Sequence, residues 1–548
     1  MPLTRREFLL DSAGTSLFAP AIKPGSDRMR YPFQHGIASG DPLTDRVLLW
    51  TRITPLDSTF GISYRWLITT DPQLQQVVNQ GIGFTDASRD FTVKVDADGL
   101  LPATTYYYAF EADGHYSDVG RTRTLPEGSV THLRIAYTSC SNFAKGYFNV
   151  YRELAKRADL DAILHLGDYI YEYADLEDCA RTGRINTPLH ETQSLKDYRQ
   201  RHACYKQDKD LQEVHRQHPF LVIWDDHEVA NNAWVGGADN HDTASEGDWR
   251  LRLSGAVQAY LEWMPIREPS RPDVGIYRSF RFGDLVDLTM LDTRLAGRDA
   301  QAATMEERNL SGRTLLGYQQ EEWLYSNLAN AQQQGVTWKL SGQQVMVAQL
   351  GTNDMPFNYD QWDGYPAARQ RLFDAVSRAN VDNWVVLTGD IHSSWALELY
   401  QDPFADDPGK PLGVEFVTPA VTSPGIESYP QAQLAGASLE ALLPHLNFVD
   451  FYFRGYVVLD ITHERLQAEW WVVDNIDTHR YSTECLRALQ VQSGSSQLRP
   501  AAGLSQAKAA PPLAPAFADD LAFLRDWKQQ YSGRLEGVLA AHTERPSL

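Results

Sequence analysis

Between about residues 31 and 127, apolar and polar positions alternate with a period of two. Phe91, Val93 and Val95 interleave with Thr92, Lys94 and Asp96, and Tyr106, Tyr108 and Phe110 with Tyr107 and Ala109. The run RVLLWTR at 46–52 is a further strand-like segment, and Asp-Gly and Pro punctuate the intervals. Such spacing predicts short strands of a two-layer β-sandwich. From about residue 132 the pattern changes. Leu133, Ile135 and Tyr137 predict a strand that leads to Ser139 and Cys140. Tyr147, Val150, Tyr151, Leu154 and Ala158 then fall on one helical face. Apolar runs follow at 162–166, 220–224, 285–291, 384–387 and 414–417. Unbroken apolar strands alternating with helices predict an α/β or α+β core whose sheets are covered on both faces.

Composition narrows the possibilities. The chain has 548 residues, enough for several domains and a large core. Lys and Arg number 50 against 71 Asp and Glu, a formal charge of −21, which argues against a general nucleic-acid-binding surface. It leaves an anionic small substrate open, because metal ions in a cleft reverse the local field. No apolar run approaches the ~18 residues of a membrane-spanning helix. Four cysteines are too few for a disulfide framework. Cys179 and Cys204 are a conceivable pair, with nothing in the sequence to bring them together.

Both ends differ from the middle. Thr4-Arg5-Arg6-Glu7-Phe8-Leu9-Leu10 is a twin-arginine pattern, followed by a small-residue stretch and by Ala19-Pro20-Ala21, a cleavage-like site. The alternative is a chance Arg pair, and Asp11 interrupts the apolar region. Residues 1–28 are therefore expected to be a signal for export through the twin-arginine translocation machinery. After about 492, Ser493-Gly494-Ser495-Ser496 and an Ala/Pro-rich stretch read as a linker. Phe517, Leu521, Leu524 and Tyr531 predict a C-terminal helix.

Three apolar runs end in carboxylates. Gly167-Asp168 opens GDYIYEY, Asp225-Asp226-His227-Glu228 follows the run at 220–224, and Gly389-Asp390-Ile391-His392 follows the run at 384–387. Ligands in α/β sheets bind beyond the carboxyl ends of strands. Adjacent ionisable groups there are costly to bury unless they bind metal or pair with cations. Taken singly each has a plainer reading: an exposed strand-end Asp, a helix cap at Asp225, an ordinary hydrogen-bonded His. Together they point to one shared metal site.

A Gly-Asp strand end, an Asp-His pair and an Asp-x-His resemble the calcineurin-like metallophosphatases. GIASGDP (36–42), Ser139-Cys140, GDYIYEY (167–173), WDDHEVANN (224–232), LDTR (291–294), WDGYPAAR (362–369), TGDIH (388–392) and EFVTPAVTSPG (415–425) are similar, more closely, to the alkaline phosphatase D (PhoD-like) family. That family includes phosphodiesterases and an actinobacterial type of phospholipase D. The resemblance runs from about residue 31 to 475. The wider superfamily has Asp-x-His on its first strand, where this chain has Ser139-Cys140-Ser141, in agreement with the PhoD-like branch.

The resemblance implies a four-layer α/β (α+β) metallophosphatase sandwich behind a fibronectin type III-like β-sandwich. The expected division is 1–28 signal, 29–128 N-terminal domain, 129–490 catalytic domain and 491–548 linker and helix. It implies Fe3+ held by Cys140, Asp168, Tyr171 and His392. Asp168 would bridge to Ca2+ held by Asp226, Asp390 and Asn231. His227 would be the proton donor or phosphate contact, and Arg184, in a Thr-Gly-Arg turn, a clamp on phosphate. The implied activity is hydrolysis of phosphate mono- and diesters by metal-activated hydroxide, in an exported, periplasmic or secreted, cell-wall-associated enzyme. The alternatives are a phospholipase D-like diesterase acting on lipid headgroups and a non-catalytic binding protein on a decayed phosphatase fold. Arg294 reads as a structural ion-pair partner. The 231–249 segment reads as a solvated loop, and residues 362–365 as either cleft wall or core.

Overall fold

A computed structural model describes residues 31–55, 61–269, 275–352 and 355–515. The expected signal and C-terminal helix lie outside these residues. Two large sheets form the body, one of ten strands and one of seven. In the ten-stranded sheet, strands Leu133–Thr138, Ala162–His165 and Pro219–Val222 run parallel and adjacent. In the seven-stranded sheet, Val286–Met290, Trp338–Gly342, Trp384–Thr388 and Gly413–Val417 do the same. The sheets pack face to face: Tyr137 Oη donates to the Phe416 carbonyl at 3.0 Å and Trp470 Nε1 to the Val417 carbonyl at 2.9 Å.

Helices cover the outer faces. Asn149–Ala155, Leu195–Lys206, Lys209–Gln217 and Trp249–Trp263 lie over the ten-stranded sheet, and Tyr318–Gln333 and Pro366–Arg378 over the seven-stranded one. This is the expected four-layer α/β sandwich. It explains why strands such as Ala162–His165 are buried throughout: Leu164 joins the large core, while His165 meets Tyr151 of the outer helix, 2.9 Å away. A parallel bridge between Ser139 and Ala420 pinches together the strand ends of the two sheets. The ligand-bearing loops are thereby gathered at one edge.

The N-terminal sandwich forms with one unexpected feature. Strands Ile37–Gly40, Val47–Arg52 and Thr92–Ala97 belong to the ten-stranded sheet, and Ile37–Gly40 pairs parallel with Pro219–Val222. A separate five-stranded sheet packs over them, with Tyr106, Tyr108 and Phe110 against Ile37, Leu49 and Val93. Period-two alternation reports that a strand has a buried face, but not which sheet it joins.

The stretch read as a linker is laid against the body. The Gln506 carbonyl accepts from Arg134 at 2.7 Å, the Pro512 carbonyl accepts from Tyr107 Oη at 2.7 Å, and Ala514 is buried. Trp362, Asp363, Gly364 and Tyr365 are core, not cleft wall. Cys179 and Cys204 are free thiols.

Candidate active site

The strand ends turn sharply, and four of the predicted ligands sit on the turns. Cys140, Asp168, Asp390 and His392 have φ values of 62°, 55°, 62° and 54°, the left-handed region that L-residues avoid. Strain of this kind persists only where surroundings enforce it, and it concentrates at functional sites. Gly167, at φ 99°, is required on steric grounds as well, since a Cβ there would lie 2.5 Å from the Asp225 backbone nitrogen.

Glu228 fastens these turns. Its buried carboxylate accepts the backbone N–H of Asp168 at 3.0 Å, of Tyr169 at 2.5 Å and of Asp225 at 2.8 Å. Glu228 thus does the capping that the sequence offered to Asp225. Burial first, and then the neighbouring Asp168 charge, push Glu228 up to about 8.

Two groups of donors adjoin through Asp168 and Asp226. In the first, ligand atoms of Cys140, Asp168 and His392 lie within 4.8 Å of one another. The Tyr171 phenol joins them, donating to Asp168 Oδ2 at 2.8 Å and lying 3.1 Å from His392 Nε2. In turn Ser423 Oγ donates to the Tyr171 oxygen at 2.6 Å, and His392 Nδ1 meets the Pro424 carbonyl at 3.0 Å. Asp168 also groups with Asp226 and His227, and Asp226 joins Asp225 and Asp390 in a second, all-carboxylate group.

Electrostatics fit cations at both groups. Burial, and then Asp168, hold the Cys140 thiol and the Tyr171 phenol well above their ordinary values. A cation at the first group reverses that pressure and favours thiolate and phenolate. Asp225 Oδ2 and Asp226 Oδ1 are buried without a hydrogen-bond partner, the latter 3.7 Å from Arg294 Nη2, so carboxylate oxygens of the second group are left short of donors. Burial raises Asp390 to about 6 against the pull of Arg294. Burial also opposes ionisation of Asp226, but Arg294 and His227 outweigh it and hold that carboxyl below its ordinary value. Sulfur, phenol, imidazole and carboxylate in one group suit a transition metal; an all-carboxylate group suits a hard cation.

His227 is fixed beside both groups. Its Nδ1 lies 2.7 Å from Glu172 Oε2, and its ring stacks on Tyr171 at 4.2 Å between centroids. Burial works against its charge. Glu172, Asp226 and Asp168 overcome it and raise the imidazolium well above the ordinary value. Glu172 also accepts the Asn231 backbone N–H at 2.7 Å and the Asn240 amide at 3.0 Å, tying the 231–249 segment to the site. The Asn231 contact to Glu172 is through its backbone, and the adjoining Asn232 N–H donates to Asp226 Oδ2 at 2.6 Å.

Arg184 is not brought into this arrangement. Its Nη1 donates to Asp208 at 2.8 Å, its Nε to the Phe143 carbonyl at 2.7 Å, and its guanidinium carbon lies 3.8 Å from the centre of the Phe143 ring. These contacts give Arg184 structural partners outside the donor groups, while its Nη2 is buried without a hydrogen-bond partner. Sequence reasoning missed the tasks of Glu172 and Glu228, although both lie within the quoted motifs. It also missed Asp360, which pairs with Arg294 and which no motif contains.

Comparison with known proteins places the fold in a family. The family model described as PhoD-like phosphatase matches residues 135–470, and that of the PhoD-like phosphatase N-terminal domain matches 19–126. Alkaline phosphatase D of Bacillus subtilis is 38% identical over 463 residues, spanning 81% of this chain and 78% of that protein. The solved structure of PhoD superposes with a TM-score of 0.78 at 35% identity, covering 87% of this chain and 93% of that one.

Proposed function

Because the chain belongs to the PhoD-like phosphatase family, we propose that it is a metal-dependent phosphoric ester hydrolase acting at the two donor groups that adjoin through Asp168 and Asp226. The observation that carries the reading is that Cys140, Asp168, Tyr171 and His392 converge at the ends of parallel strands while Asp226 and Asp390 stand beside them. The donor types favour Fe3+ at the first group and Ca2+ at the second, where Asn231 is a further oxygen candidate. Cations held there supply charge neutralisation for the phosphoryl oxygens and a lowered pKa for water.

The chain's own residues do the rest. Asp168 presents one oxygen to Tyr171 and the other toward the His227 backbone, 3.4 Å away, so it faces both groups. Ser423 fixes the phenol of Tyr171. Glu172 holds Nδ1 of His227, which leaves Nε2 to carry a proton to the departing alkoxide. The acidic surroundings, Glu172 foremost, raise the imidazolium well above its ordinary value. Arg184 pairs through Nη1 with Asp208, so a part for it in meeting the extra charge of a monoester would fall to its unpartnered Nη2.

Export through the twin-arginine machinery to the periplasm or outside the cell rests on the pattern at residues 4–10 alone. Hydrolysis of p-nitrophenyl phosphate and of its bis-ester, at alkaline pH with calcium and with a chelator, tests the activity. Chelator-sensitive turnover is the expected result. Absence of turnover and of bound metal would refute the assignment in favour of a binding protein.

A further inference from the structure

One guanidinium is buried at the centre of the second group's carboxylates. Arg294, in the LDTR run after strand Val286–Met290, is 0% exposed. Its Nε donates to Asp225 Oδ1 at 2.5 Å and its Nη1 to Asp360 at 2.9 and 3.0 Å. Its Nη2 donates to Asp390 Oδ1 at 2.7 Å and lies 3.7 Å from Asp226 Oδ1. Arg298, also buried, donates to Asp360 Oδ1 at 2.6 Å. Each guanidinium nitrogen thus faces a different aspartate, an arrangement that a point-like ammonium cannot reproduce.

Charge counting gives the arrangement a purpose. Asp225, Asp226, Asp360 and Asp390 face Arg294 and Arg298, so two negative charges stay uncompensated in a buried place. The orphaned oxygens Asp225 Oδ2 and Asp226 Oδ1 mark where that excess is felt. In the first group, Asp168 makes no ion pair with Arg or Lys among the described residues.

We propose that Arg294 is a positioning residue that sets the charge of the second cation site, leaving it matched to a divalent ion and holding Asp226 and Asp390 in place to receive it. This rests on the reading that a second cation binds there. Arg294 is the fixed counter-ion of the site: it neutralises Asp225, shares Asp360 with Arg298 and orients Asp390. Removing its charge favours an ion of higher charge, and removing one carboxylate disfavours it.

The test is calorimetric titration of Ca2+ and, separately, Tb3+ into full-length protein that retains iron at the first group and has been stripped of calcium. The readout is the ratio of the two affinities. Arg294→Met is expected to shift that ratio toward Tb3+ by at least about tenfold, the scale of one unit charge acting across a few ångströms at a partly buried site. Asp360→Asn, nearly isosteric and with Arg294 intact, is expected to shift it the other way by a similar factor. The double variant Arg294→Met/Asp360→Asn restores the charge and is expected to return within about threefold of the unaltered protein. Arg294→Lys, which keeps the charge but not the fork, is expected to keep the ratio while weakening both ions together. Should Arg294→Met fail to fold, Asp360→Asn and the double variant still decide the matter. A purely structural role would weaken both ions together and leave the ratio unchanged in every variant, which would overturn the proposal alone. Absence of any second cation in the unaltered protein would overturn both the proposal and the two-cation reading beneath it.

Discussion

Arg184→Met separates a structural guanidinium from a phosphate clamp. The substitution keeps the apolar stem and deletes the head group. Three interactions go with it: the 2.8 Å pair with Asp208, the 2.7 Å bond to the Phe143 carbonyl, and the stacking over Phe143 at 3.8 Å and Phe148 at 4.6 Å. Leaving a buried charge unpaired costs about 3–5 kcal/mol. Asp208 is only 7% exposed, but its other oxygen keeps the backbone N–H groups of Asp210 and Leu211 at 2.8 and 3.0 Å, so the lower end applies. The lost carbonyl partner and the lost stacking add about 1 kcal/mol each, and neighbouring terms do not sum in full. A net destabilisation of about 3–4 kcal/mol is expected. Urea unfolding measures it, and kcat/KM on bis(p-nitrophenyl) phosphate, well below the unfolding transition, is expected to stay within about threefold of the unaltered protein. A clamp would behave in the opposite way: stability unchanged and kcat/KM lower by about a hundredfold, the scale of a lost charge-assisted hydrogen bond. That outcome would refute the structural assignment.

Asp168→Asn is expected to lose activity and metal together, with kcat down by more than the ~100-fold typical of an outer-sphere partner; full activity with metal retained would remove Asp168 from the site. Tyr171→Phe should abolish a visible phenolate-to-iron band and lower kcat about tenfold, about 1.4 kcal/mol in barrier; a colourless unaltered enzyme with full activity would eliminate the ferric assignment. Glu415 gives a prediction in pH. Burial, only partly offset by hydrogen bonds from Thr388, Val347 and Ala348, raises it from the ordinary 4.5 to about 7. The native state therefore binds this proton more tightly than the unfolded chain does. The associated stability, about 3 kcal/mol, is present below pH 4.5 and is lost as pH rises through 7. Glu415→Gln should flatten that part of the pH–stability curve; an unchanged slope between pH 5 and 8 would show that Glu415 does not titrate there.

The site's skeleton is readable locally because each element carries its own signal. Gly167-Asp168 and Gly389-Asp390 each follow an apolar strand, and the glycine gives the signal, through a positive φ at Gly167 and a close approach to Ser139 at Gly389. Cys140 has no such signal: a thiol at the end of a buried strand reads the same whether or not it binds metal, and only the resemblance singled it out. Arg294 was read as an ion-pair partner, but its partners lie 69, 66 and 96 positions away, beyond any local pattern. Arg184 is singled out by its Thr-Gly-Arg turn and the fit of a guanidinium to phosphate, and the turn alone gives no sign of Asp208, which stands beside it in space. Glu228 looked like one more acidic group in DDHE. Its work, holding three backbone N–H groups, depends on strand ends that only the folded sheet brings together.

The parallel pairing of Ile37–Gly40 with Pro219–Val222 has a consequence in time. At the ribosome, about 5–20 residues are added each second. Ser39 must therefore wait roughly 10–40 s for its register partner Pro219 to be made. During that interval the edge of the nascent strand is a sticky surface, open to chaperones and to neighbouring chains on the same messenger. A slow stretch of translation early in the second hundred codons would prolong that exposure, and codon choice there becomes a handle on yield that leaves every amino acid of the finished enzyme unchanged.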